Sequence, residues 1–498
     1  MAEALLLALD QGTTSTRAIL FDSEGRALAK AGRPLRQSYP RSGWVEHDAE
    51  AIFEASVAVL AEAIEQAGRS AGEVTALGIT NQRETVVVWE RSTGRPIHPA
   101  IVWQDRRTAD ICERLRLEGA EPRVTELTGL LLDPYFSATK IAWILDAVAG
   151  ARTRAANGEL LAGTIDTWLI WRLTEGRVHA TDATNASRTL LFDLERQAWS
   201  EELCALFDVP MSLLPEVRDT AGDFGALAPS LVGAALPIRG VAGDQQAALM
   251  GQGCIRAGEA KATFGTGCFM LLHTGEAAPR SQARLLTTVA ARVAGRTTFA
   301  LEGSIFVAGA AVQWLCEKFG VDGPQAAEAL ARSARADHGV VLVPAFTGLG
   351  APYWDAEARG ALFGLTRDSG VAEIAEAVFD ACALQARDLI EAMRRDAPAA
   401  LAAQAELRVD GGMAQSRWFA QRLADVTGLP VAPADYPETT ALGAALFAGL
   451  GAGLYGSLEA AAAASPHGVA LAPERREAWR NEKYTLWQDA VRRTRSER

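Results

Sequence analysis

Apolar residues in this chain fall in short runs that stop abruptly at polar, glycine-bearing turns. Residues 5–9 are apolar and end at Asp10, residues 11–16 (QGTTST) are polar, and a second apolar run at 18–21 ends at Asp22. The pattern predicts strand, tight turn, strand. A turn signal at 23–25 predicts that residues 26–33 return as a third strand, so the chain opens on an antiparallel sheet. Asp48 is a candidate N-cap, and Ile52, Phe53, Val57, Leu60 and Ile64 then share one helical face up to Gly68. Residues 74–80 predict a buried strand that delivers Asn81, Gln82, Arg83 and Glu84 to its C-terminal end, the edge where ligands bind in open α/β sheets. Residues 100–103 read as a short strand leading into 104–107, and residues 108–117 as a helix. Residues 135–145 carry Lys140 and Trp143, residues 165–173 pack apolar groups behind Asp166, and residues 182–193 read as polar and turn-rich. Lys140, Trp143 and Asp166 are assigned to surface or packing.

The opening pattern recurs. Apolar residues 238–241 lead into Ala242, Gly243, Asp244, Gln245 and Gln246, and residues 260–264 run into Gly265-Thr266-Gly267 before a second strand at 268–273. The repetition suggests two related halves, 1–251 and 252–498, joined near 251–258 and facing each other across a cleft. A strand at 297–301, a helix from about 304 to 319, a strand at 340–344 entering the loop 345–355, and a long helix at 372–394 follow. The strand 407–410 precedes Gly411 and Gly412, which let backbone approach a flat ligand such as adenine; a plain strand-to-helix turn is the alternative. The last forty or so residues read as terminal helix and tail.

Composition bounds the partners. The 498 residues suffice for two or more domains, and 49% hydrophobic with 22% charged residues is ordinary for a soluble globular chain. A net charge of −12 argues against broad binding to nucleic acid or anionic membrane. Six scattered cysteines, without CxxC pairs or zinc-like spacing to the six histidines, suggest reduced thiols of a cytoplasmic protein. The N-terminal apolar run has no cationic lead and stops at Asp10, unlike a signal peptide. Residues 441–458 are free of charge at about the length of a span, but alanine and five glycines predict a buried helix and a glycine-rich turn instead of an integral membrane segment. The turn at 11–16 offers backbone N–H and hydroxyl groups to an anion, with Asp10 placed to hold a metal-bound water and Arg17 adding positive charge; an ordinary hairpin is the plain alternative.

Seven stretches carry a resemblance: LDQGTTSTR at 9–17, GITNQRET at 78–85, WQDRRT at 103–108, PYFSATK at 134–140, AGDQQAAL at 242–249, FGTGCF at 264–269 and PAFTGLGAPYW at 344–354. In this order and spacing the chain resembles the FGGY carbohydrate kinase family. The resemblance implies an α/β, actin-like ATPase fold with two ribonuclease-H-like domains and a central cleft. It implies phosphorylation of glycerol to glycerol 3-phosphate, the first step of glycerol catabolism, with ATP and Mg²⁺ as cofactors. By position it assigns Thr13, Thr14, Ser15 and Arg17 to the phosphate turn and Asp10 to a carboxylate near the metal. Thr266, Gly309, Gln313, Gly412 and Ser416 go to the nucleotide. Arg83, Glu84, Tyr135, Asp244 and Gln245 go to the polyol, with Trp103 and Phe269 packing on its carbon chain. Asp244 is the candidate general base. The N-terminal half is then the polyol and phosphate side, the C-terminal half the nucleotide side, and a cytoplasmic homodimer or homotetramer is implied.

Two departures bear on regulation and adenine binding. Ser416 stands where the family more often has Asn. The loop 226–236 (ALAPSLVGAAL) lacks the cation that binds fructose 1,6-bisphosphate in some members and the histidine that others present for phosphorylation. Insensitivity to both is expected, and inhibition at physiological effector levels would refute the first. A kinase for another polyol or a ketopentose shares the ATP machinery and differs in the pocket. A non-enzymatic actin-like protein would leave Asp244 and Gln245 incidental. A dehydrogenase lacks support, because no GxGxxG follows the first strand.

Overall fold

A computed structural model describes residues 4–336, 338–400, 406–466 and 468–496. Two six-stranded sheets organise it. In the first, Leu5–Gln11 pairs antiparallel with Ser15–Asp22, which pairs antiparallel with Ala27–Pro34; on its other side Leu5–Gln11 runs parallel to Val74–Asn81, which runs parallel to Leu236–Gly243. In the second, Ala260–Phe264 pairs antiparallel with Cys268–Gly275 and parallel with Leu407–Asp410. Arg296–Ile305 and Leu286–Val293 extend the antiparallel side, and Val431–Pro433 the parallel side. The repetition read in the sequence is thus a repetition of topology, and each hairpin turn sits beside the end of a parallel strand.

Local signals act as expected at several points. The Asp48 carboxylate caps Ala49–Gln66, accepting from the backbone N–H groups of Glu50 (2.9 Å) and Ala51 (3.3 Å). The charge-free stretch begins inside the helix Thr439–Gly451, which packs on the strands of the first sheet and on the helix Asp244–Gly251. Among the described residues no helix is long and apolar enough to cross a membrane. All six cysteines are free.

One expectation fails. The strand expected at 297–301 runs on to Ile305, because Ser304 and Ile305 pair with Phe269 and Cys268; the helix therefore starts only at Gly309. Residues 182–193, polar and turn-rich in the sequence, are buried. Their polar groups satisfy one another: Asp182 caps the short helix Ala183–Ala186, accepting from Thr184 and Asn185 N–H at 2.9 Å each.

Asp166 is packed as assigned, and it makes stability depend on pH. It is fully buried and accepts hydrogen bonds from the hydroxyls of Thr164 and Thr181. Burial pushes its carboxyl up to about 7, against the lowering pull of those hydroxyls. A carboxyl raised in the fold holds its proton more tightly there than in the unfolded chain. Its stabilisation is complete below the ordinary value of 3.8 and is lost as pH rises through about 7. Asp166→Asn, which mimics the protonated acid, is expected to melt a few degrees above wild type near pH 8, with the difference narrowing steadily below pH 7 and approaching zero only near pH 4. Equal differences at both pH values would remove Asp166 as a source of the pH dependence.

Candidate active site

The first hairpin turn closes on itself, the Gly12 N–H donating to the Ser15 carbonyl at 2.9 Å. Thr13, Thr14 and Ser15 face outward from it, half-buried or exposed. The indole N–H of Trp103 donates to the Thr13 hydroxyl at 2.9 Å, tying this turn to the wall of the neighbouring pocket. Arg17 lies 3.1 Å from Glu438, a residue of the second half. Asp10 is the last residue but one of the first strand, half-buried. Burial raises its carboxyl to about 7; Arg17 lowers it, and Asp244 and Glu438 raise it further.

Beside that turn lies a cluster of buried charges. Arg83 and Glu84 leave the end of Val74–Asn81, as the sequence predicts, and both are almost wholly buried. Two residues that the sequence reading missed complete the cluster, Arg188 and Glu302, each 0% exposed. Glu302 comes from Arg296–Ile305, a strand of the second sheet. It accepts from both terminal nitrogens of Arg83, at 2.5 and 3.1 Å, and from Arg188 at 2.9 Å. Arg188 Nε also donates to Glu84 at 2.7 Å. With its fork on Glu302, Arg83 turns its remaining Nε to Asp244, 3.1 Å away. Burial alone would raise the Glu302 carboxyl, but Arg188 and Arg83 hold it down to about 2. Breaking such a buried pair by removing one partner typically costs about 3–5 kcal/mol, because a charge is left uncompensated.

The backbone at Glu84 is in the left-handed region, φ 59°. For a residue with a side chain such a conformation persists only where neighbours enforce it. Lys140 and Ser137 both donate to the Glu84 carbonyl at 3.2 Å, and Lys140 also holds the Tyr135 carbonyl at 2.5 Å. Lys140 is therefore packing, as assigned, but packing that shapes the pocket; burial lowers its ammonium to about 7.

Above the charges stand three half-buried rings. Trp103 meets Tyr135 edge to face at 5.6 Å and Phe269 at 6.1 Å. Asp244, first residue of its helix, is the partly open carboxylate here, its side chain 31% exposed. Next to it the Gln245 carbonyl oxygen accepts from the buried Lys261 ammonium, which leaves Gln245 its amide N–H groups as donors. Glu302 and Lys261 share one legible signal, a lone charge inside an otherwise apolar stretch; Arg188, in a polar stretch, carries no such signal.

On the far side, Gly265 N–H donates to the Gly267 carbonyl at 2.9 Å, closing the second hairpin turn with Thr266 exposed. Gly309 packs against it; a Cβ there would stand 2.5 Å from the Gly265 carbonyl oxygen and 3.9 Å from the Met413 side chain. Thr266, Gly309 and Gly412 therefore gather at one place. Gly412 is exposed, with nothing within 4 Å of the position a Cβ would take. Gln313 lies one turn along the helix, exposed and donating to Glu317 at 2.9 Å. Ser416 is occupied by the fold: its hydroxyl caps Arg417–Thr427, accepting from Phe419 N–H at 3.0 Å, and donates to Glu328 at 2.7 Å.

Among the described residues no group of three or more His, Cys, Asp or Glu side chains is placed to hold a metal ion. Asp10, a half-buried carboxylate whose charge burial disfavours, suits a magnesium ion, which takes one or two carboxylates and fills its shell with phosphate and water.

The model of the FGGY family of carbohydrate kinases, N-terminal domain, matches residues 5–251, and that of the C-terminal domain matches 260–452. The chain is 55% identical to glycerol kinase 1 of Pseudomonas aeruginosa over 493 residues, 99% of each chain. Its structure is similar to that of Plasmodium falciparum glycerol kinase with ADP (TM-score 0.92, 33% identity, 99% of this chain and 98% of that one). It shares its fold with gluconate kinase of Lactobacillus acidophilus (TM-score 0.88, 20% identity, 99% of each chain).

Proposed function

The chain belongs to the FGGY family of carbohydrate kinases, and from this we infer that it transfers the γ-phosphate of ATP to glycerol, giving glycerol 3-phosphate and ADP. The observation that carries the reading is a single partly open carboxylate, Asp244, held at 3.1 Å by Arg83 beneath a ring-lined pocket and close to the hairpin turn at Thr13.

Phosphoryl transfer asks mainly for positioning and charge neutralisation. Thr13, Thr14 and Ser15 present hydroxyls and backbone N–H groups to the phosphate, and Arg17 adds a cation. Trp103, Tyr135 and Phe269 cover the carbon chain of the polyol. Glu84, Tyr135, Gln245 and Arg83 supply acceptors and donors for its hydroxyls, and an analogue lacking one would leave a buried partner unpaired. Asp244 takes the proton of the attacking hydroxyl. Magnesium, held by Asp10, would neutralise charge on the phosphates. Thr266, Gly309, Gln313 and Gly412 border the nucleotide; Ser416, already committed as a cap, contributes less than an Asn would. Residues 1–251 then serve polyol and phosphate, and residues 252–498 the nucleotide, with Phe269 reaching across. A cytoplasmic homodimer or homotetramer accords with the family and the free thiols.

ADP production from Mg-ATP, with and without glycerol and beside ribulose, xylulose and erythritol, tests the reading. Strong stimulation by glycerol alone is expected. Stimulation by another polyol would keep the kinase and overturn the pocket assignment. ATP binding without stimulation by any would overturn the activity.

A further inference from the structure

We propose that Glu302 is a positioning residue for the proton-accepting carboxylate: it clamps both terminal nitrogens of Arg83, so that Arg83 Nε is left to face Asp244. The proposal rests on the activity inferred above. Its basis is geometric. Glu302 lies mid-strand in Arg296–Ile305, 0% exposed, and is the acceptor for three guanidinium contacts, two from Arg83 and one from Arg188. Arg83 follows a strand of the first sheet and Glu302 lies in a strand of the second, so the clamp ties the two sheets together.

The arrangement leaves Arg83 few other rotamers. A guanidinium offers five N–H donors in one plane, and a bidentate carboxylate fixes that plane. Once Glu302 takes the far edge, only the Nε edge remains for Asp244. Arg188 holds the other side of the clamp by bridging Glu302 to Glu84, and the Glu84 backbone is held in turn by Lys140 and Ser137. Asp244 is linked to Glu302 through Arg83. The position of its carboxylate is thus set by a residue 58 positions further along the chain, in the other sheet.

A structural role alone would make the same contacts, so the test must read coupling. Glu302→Gln is expected to lower kcat at least tenfold per ATP-binding site, with binding stoichiometry fixed by calorimetry. In the Asp244→Asn background, where there is no longer a base to position, the same change is expected to cost less than twofold. An equal fold-loss in both backgrounds would overturn the proposal, as would unchanged kcat in Glu302→Gln alone. Should Glu302→Gln fail to fold, Arg188→Met with Glu302→Leu removes one charge of each sign together, an exchange that buried ion pairs often tolerate. That pair is expected to fold and still lose at least tenfold in kcat; wild-type turnover there would show Glu302 to be a charge balancer only. Wild-type activity on another polyol in place of glycerol would correct the substrate and leave these comparisons intact on that polyol.

Discussion

Asp244→Asn is expected to lose about 10²–10⁴-fold in kcat, the usual value of a positioned base, while glycerol still binds. The substitution is nearly isosteric. Asn keeps a carbonyl oxygen for Arg83 Nε, so the contact at 3.1 Å survives and the cluster below it keeps its geometry. What disappears is the acceptor for the proton of the attacking hydroxyl. A carboxylate is a weak base toward an alcohol, yet it suffices if the proton leaves as the bond to phosphorus forms. The local chain is built around this residue. Asp244 opens its helix directly after the strand Leu236–Gly243, in the first turn, where a negative charge is favoured. Gly243 precedes it because a Cβ there would lie 2.7 Å from Arg83 Cδ, displacing the guanidinium that faces the carboxylate. Steady-state kinetics with glycerol and direct binding by calorimetry decide the matter. Near-normal turnover would remove Asp244 from the role, and lost affinity at normal kcat would make it a binding group.

Much of this site is legible in the sequence because its parts are local. A turn between two apolar runs, a strand that delivers Arg83 and Glu84 to its end, and a second Gly-Thr-Gly turn can each be read within ten residues or so. Arg188 and Glu302 are different. Arg188 meets Glu84 across 104 positions and Glu302 across 114, and Glu302 meets Arg83 across 219. Read alone, a charge in an apolar run marks the end of a strand, since an unpaired charge in a core is prohibitively costly. That is why the strand through Glu302 reads as ending at 301, while the segment around Arg188 reads only as polar and turn-rich, with no sign of a partner. Only the fold shows that each charge is the other's solution. Ser416 makes the converse point: a residue at a ligand-lining position by resemblance is engaged here as a helix cap.

Gly443→Ala is expected to cost both stability and turnover, although alanine is the better helix former by about 1 kcal/mol. In the helix Thr439–Gly451, a Cβ at 443 would stand 1.8 Å from the Ala247 carbonyl oxygen and 2.9 Å from Gly251 N. The contact is reciprocal, since a Cβ at Gly251 would stand 1.8 Å from the Thr439 carbonyl oxygen. The opposite face of the same helix is seated on the first sheet by Gly78 and Gly240, whose Cβ atoms would meet Ala444 O at 2.1 Å and Ala448 N at 2.4 Å. With backbone on both sides, no side chain can rotate away, and the helix has nowhere to retreat. Overpacking of a core usually costs about 1–3 kcal/mol, and rigid backbone on both faces puts this case at the upper end or beyond. The strain also has a functional address. The helix that the added methyl group would push is Asp244–Gly251, which begins with the carboxylate, and a displacement of about 1 Å at a reacting group can cost on the order of 10²-fold in rate. Gly412→Ala is the control, because nothing lies within 4 Å of its Cβ position; its melting temperature is expected to be unchanged. A Gly443→Ala protein that melts at or above the wild-type temperature with normal kcat would show that the two helices are free to part, and the close glycine contact would then not be what holds Asp244 in place.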